Sequence, residues 1–96
     1  MGGIDTEHKV TDDMVNELYT VISQIKDEKA CKELFDDLCT YKEVLKMAQR
    51  LRAAKLLSEG KTYSQVIEET DISSATLSRV SACVQRGKGY MSVFGK

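Results

Sequence analysis

The residues of this chain best equipped for surface chemistry lie in one run, Ser73-Ser74-Ala75-Thr76-Leu77-Ser78-Arg79. The hydroxyls of Ser73, Ser74, Thr76 and Ser78 can each donate and accept, and Arg79 carries a permanent charge on a rigid fork of donors. Small side chains let a helix sit deep in a groove, where hydroxyls serve either base edges or phosphates. Just upstream, Lys61, Thr62 and Gln65 open another short helical segment. Downstream, Arg86 and Lys88 follow in a glycine-flanked run that reads as flexible. Cations so placed suit phosphate, and free N–H groups at a helix start offer the same anion a positive dipole end. Such chemistry suits recognition of double-stranded DNA.

Catalysis finds no comparable constellation. His8 is the only histidine and stands in a polar N-terminal stretch without a nucleophile beside it. The pairs Asp36-Asp37 and Glu68-Glu69 read as solvated helix surface. Cys31, Cys39 and Cys83 are odd in number and form no Cys-x-x-Cys pair, which argues against both a disulfide framework and a zinc site. No enzyme, cofactor or metal is therefore expected. A reducing cytoplasm is the default setting. There is no visible signal peptide and no apolar run near the ~20 residues of a membrane helix, so no membrane partner is expected.

The elements that must position the run follow from composition and periodicity. With no proline, 6% aromatic residues and glycine scarce before position 87, the chain favours helices joined by short turns, in a single domain over 1–96. Charge divides unevenly. Residues 1–39 set four lysines against ten acidic residues, a net of −6, and residues 40–96 set ten basic against five acidic residues, a net of +5. The C-terminal part thus carries a positive field that the overall balance of −1 conceals.

Residues 1–10 read as a mobile tail. Thr11-Asp12-Asp13 offers an N-cap, after which Met14, Val15, Leu18, Tyr19, Ile22 and Ile25 recur at helical spacing. Lys26–Lys29 breaks the stripe, and Cys31, Leu34, Phe35 and Leu38 share one side of a second helix. Positions 11–39 thus read as dimerisation scaffold. Thr40-Tyr41-Lys42-Glu43 is a capping box opening a central helix over 40–58, which Gly60 stops. Its apolar residues surround more than one stripe, so a partner subunit is needed to cover it.

A second capping box, Thr62-Tyr63-Ser64-Gln65, and a third start at Ser73 place two short helices and a tight turn over 62–84, followed by a C-terminal segment 85–96. This is a helix-turn-helix. Val66, Ile67 and Thr70 are expected to face Ile72, Leu77 and Val80, leaving Ser73, Ser74, Ala75, Ser78 and Arg79 outward. The turn position usually given to glycine is Asp71, which must adopt a left-handed conformation at some cost.

Thr40-Tyr41-Lys42-Glu43, Gln49-Arg50-Leu51-Arg52, Leu56-Leu57-Ser58-Glu59-Gly60 and Ala75-Thr76-Leu77-Ser78-Arg79 together resemble the Trp repressor superfamily, more closely its TrpR-like YerC/YecD branch. The resemblance implies an all-α, Trp-repressor-like fold: an intertwined, six-helix homodimer whose recognition helices enter successive major grooves. In the Trp repressor, tryptophan lies between two arginines with a threonine hydroxyl nearby, and Arg50, Arg79 and Thr40 stand at the matching places. Departures accompany the match. Val80 follows the second arginine where the repressor has glycine, Cys83 replaces a serine, and the connection between the arginines is one residue shorter. The resemblance therefore implies an effector site at Thr40, Arg50 and Arg79 for a small molecule of unassigned identity, without dependence on tryptophan.

Together these features describe a bacterial, sequence-specific transcriptional regulator. Its partners would be an operator duplex and a second copy of itself. Two other readings compete: a protein-interaction module that keeps the fold without operator contacts, and a DNA-binding component of replication or recombination.

Overall fold

The computed structural model of the chain describes residues 2–95 and contains six helices and no strand among them: α1 (Gly2–Ser23), α2 (Glu28–Leu38), α3 (Tyr41–Ser58), α4 (Tyr63–Thr70), α5 (Ser74–Arg86) and α6 (Gly89–Phe94). The chain comprises two compact units, Met1–Cys39 and Thr40–Lys96.

The N-terminal unit holds α1 and α2. The start expected at Thr11-Asp12-Asp13 is corrected, because α1 runs through these positions. No proline or glycine interrupts residues 4–22, so nothing local stops a helix from propagating across them. The mobile tail expected over 1–10 falls on Met1 and on side chains up to His8 that lie outside the described residues, while the backbone is helical from Gly2. After α1, Asp27 caps α2 by accepting from the Ala30 N–H at 2.8 Å. The expected pattern is present, with Cys31, Leu34 and Phe35 half-buried on α2, yet no residue from Lys9 to Cys39 is fully buried. Val10, Met14, Tyr19 and Leu38 are each more than half exposed.

The C-terminal unit has a core, and its helices begin and end on local signals. Thr40 accepts from the Glu43 N–H, and the Glu43 carboxylate accepts from the Thr40 N–H at 2.7 Å, closing the expected box. At the other end of α3, Gly60 takes φ 89°. The Gly60 N–H donates to Leu57 and the Lys61 N–H to Leu56, the paired bonds of a Schellman ending. Gln49 Nε2 donates to the Thr70 carbonyl at 3.1 Å and ties α3 to the end of α4.

Ala53, Ala54 and Leu56 from α3 meet Val66, Ile72, Leu77 and Val80, all buried. Burying a side chain such as Leu77 stabilises the fold by roughly 1.5–3 kcal/mol. Two expectations change here. Ile67, expected in the small core, is 36% exposed, since it follows Val66 round the helix and points away from α5. The run around Arg86 and Lys88, read as flexible, is largely helical: Arg86 closes α5 and Gly89–Phe94 forms α6. Tyr90 and Phe94, one turn apart, pack α6 against the core.

Candidate nucleic-acid interface

The turn joining α4 to α5 fixes how the outward face is presented. Asp71 takes φ 59° and ψ 22°, the left-handed conformation expected of it, and its N–H donates to the Ile67 carbonyl at 2.9 Å. The Thr70 hydroxyl donates to Val66 O at 2.7 Å and accepts from the Ile72 N–H at 3.3 Å, closing the turn from inside. Ile72 then inserts into the core and Ser73 caps α5. Three successive residues are thereby fixed, and so is the angle at which α5 leaves the body.

Leu77, Val80 and Ser81 turn α5 towards the core, which leaves Ser74, Ala75, Ser78 and Arg79 exposed on the opposite face. Ser73 and Thr76 are placed differently from their neighbours. The Ser73 hydroxyl accepts from the Thr76 N–H and donates to Thr76 Oγ1 at 2.9 Å, so these side chains serve each other as a cap. Thr62 and Gln65 are likewise exposed and engaged in a reciprocal cap at the start of α4. Lys61 stands just before that cap, Arg86 in the last turn of α5 and Lys88 at the N-cap of α6, all exposed.

Of the residues matched to an effector site, Arg50 and Arg79 come together. They line a cleft of about 450 Å³ with Ala75, Thr76, Val80, Cys83 and Tyr90. Thr40 does not line it, because ten residues of helix, about 15 Å, separate it from Arg50. Val80, at 1% exposure, gives its methyls to the core. Sequence reasoning missed Tyr90, whose spacing to Phe94 was the available signal. It also missed Lys46, one turn before Arg50 on α3, which lines a second cleft at the start of α5. Among the described residues the only ion pair is Lys32–Asp36 at 2.8 Å, in the other unit. No group of His, Cys, Asp or Glu among them is placed to hold a metal. No described helix is long and apolar enough to cross a membrane.

The family model for the Trp repressor protein matches residues 13–96, which includes all of the C-terminal unit. The chain belongs to the Trp repressor family. Within it, the chain falls in the YerC branch: it is 44% identical over 73 residues to YerC, an uncharacterized protein of Bacillus subtilis strain 168, covering 76% of this chain and 70% of that one. A TrpR-like protein from Eubacterium eligens ATCC 27750 shares the fold at a TM-score of 0.83 and 38% identity, over 91% of each chain. A Staphylococcus aureus protein assigned as a Trp repressor does so at 0.80 and 35% identity, over 84% of this chain and 82% of its own. The Trp-repressor-like fold expected from the capping boxes and the Arg50 and Arg79 segments is thus present in this chain.

Proposed function

We propose that this chain is a sequence-specific DNA-binding transcriptional regulator, working as a homodimer and without tryptophan as an obligatory corepressor. One observation carries the reading: a helix-turn-helix locked by Val66, Ile72, Leu77 and Val80 presents Ser74, Ala75, Ser78 and Arg79 to solvent from one face of α5. In this motif the residues at the N-terminal end of the second helix reach base edges in the major groove. Ser74 and Ala75 hold that place here. Arg79 reaches the flanking backbone or a guanine, and Lys61, Arg86 and Lys88 contact phosphates. Membership of a DNA-binding family supports the same reading.

The apolar side chains left exposed on α1, together with Leu45 and Leu51 on α3, support the homodimer. A second copy would cover these faces, each on its own unit. The packing of Val80 supports independence from tryptophan, since this lining residue of the cleft is buried in the same core cluster as Val66 and Leu77.

Selection of bound fragments from random and genomic duplexes tests the function. A recovered palindromic motif, with half-sites one helical turn apart or a multiple of it, is the expected outcome. Recovery of no motif would overturn operator recognition.

A further inference from the structure

The face of α3 beside the recognition helix carries cations that the helix-turn-helix does not account for. Lys46 and Arg50 stand four residues apart, one above the other on that face and about 6 Å apart along the axis. With Gln49, Asp71, Ser73 and Thr76 they line a cleft of about 220 Å³ at the start of α5. The cleft is built on fixed walls. Gln49 is tied to Thr70 across the α3–α4 junction, Asp71 is held by its N–H, and Ser73 and Thr76 are bonded to each other. Lys46 and Arg50 make no ion pair among the described residues, and neither pairs with the Asp71 carboxylate that lines the same opening. Two unneutralised cations therefore project where the start of a recognition helix brings a groove edge close.

We propose that Lys46, with Arg50 behind it, forms a seat on α3 for a single phosphate of the DNA backbone, next to the bases that face α5. The proposal rests on the DNA-binding reading above and extends the contact surface from α4 and α5 to α3. A phosphate fits better than a base edge here. Lys46 acts as a point charge on a flexible stem, and Arg50 supplies a planar fork suited to two phosphate oxygens. Seated there, the phosphate would set the depth and tilt of α5 in the groove, since phosphate contacts position and base contacts specify.

The test follows the affinity of full-length protein for a random-sequence duplex of about 24 base pairs, and for any selected operator, over roughly 50–200 mM salt. Removing one phosphate seat from each bound protomer lowers the slope of log affinity against log salt by ~0.9 per protomer. Over that fourfold salt range this amounts to about 3.5-fold per seat. Lys46→Ala is expected to show that reduction and Lys46→Arg to keep the wild-type slope. Lys55→Ala, an exposed cation on α3 outside the cleft, is the control and is expected to keep it too. Alanine favours helix, so the Lys46 variant retains its fold, and far-UV dichroism verifies this. A Lys46→Ala slope equal to wild type, or an equal reduction in Lys55→Ala, overturns the seat while leaving DNA binding intact. Wild-type protein with no salt-dependent binding to either duplex overturns the DNA reading and the seat together.

Discussion

Val80 both lines the cleft between Arg50 and Arg79 and belongs to the core, and replacing it by alanine separates the two roles. The side chain is 1% exposed and packs with Val66 and Leu77. Removing its two methyl groups forfeits about 1.6 kcal/mol of transfer free energy. Partial collapse of the surrounding helices leaves a residual cavity, which raises the expected loss to about 2–3 kcal/mol. A chain of this size has about 5–14 kcal/mol of stability in total. The change should therefore lower the melting midpoint by about 10–20 °C. Thermal unfolding followed by far-UV dichroism measures the midpoint, and urea titration the free-energy loss, both at one fixed protein concentration. A loss below about 0.5 kcal/mol would show that Val80 behaves as surface and that protein atoms do not fill the ligand's place. The companion measurement is calorimetric. L-tryptophan added to wild-type protein should give no micromolar binding and no gain in DNA affinity, and both appearing together would restore a corepressor role.

Three further outcomes follow from the same structure. Leu18→Asp puts a charge on the apolar stripe of α1, and sedimentation at low micromolar concentration should then show the homodimer replaced by monomer; a wild type that is itself a compact monomer with concentration-independent melting refutes the dimer. Ala75→Leu should abolish preference for a selected operator while shifting stability by less than about 0.5 kcal/mol, because the position is exposed on α5; unfolding of this variant would mean the helix faces the other way. Backbone and side-chain hydrogen bonds from Thr40 hold the Glu43 carboxyl below its usual value of 4.5. A carboxyl lowered by folding stabilises above its unfolded value and ceases to do so as pH falls through the folded one, so the melting midpoints of wild type and Glu43→Gln should differ at pH 7 and converge in acid. A pH-independent difference would remove the cap from the explanation.

Local signals carried most of the C-terminal unit. Thr40 with Glu43, Thr62 with Gln65, and Gly60 each fix a helix end through bonds within one turn, so residue type and spacing suffice to find them. Where the outcome depended on contacts distant in sequence, legibility ended. Lys46 reads as one more surface lysine until Ser73 and Thr76 are brought beside it, 27 and 30 positions later. Tyr90 and Phe94 acquire meaning only against α3, and the glycines around Lys88 suggested a loose end. The Thr11 start failed for the opposite reason: a capping residue permits a helix to begin but does not compel it, and the upstream residues propagate helix just as well.

The mutual bond between Ser73 and Thr76 limits how much a recognition helix of this kind can say. With the Ser73 hydroxyl occupied as donor and acceptor and Thr76 half-buried beside it, the exposed vocabulary offered to base edges shrinks to two serines, one methyl group and one guanidinium. Each well-made pairing with a base discriminates against a wrong one by about 1–3 kcal/mol, whereas a genome presents about 10⁶–10⁹ competing positions. One copy of such a reading head would disappear among near-matches. In the proposed homodimer, repetition of the word across a symmetric pair of heads, and sensitivity to how readily the intervening duplex bends, would be the two sources of information left to it.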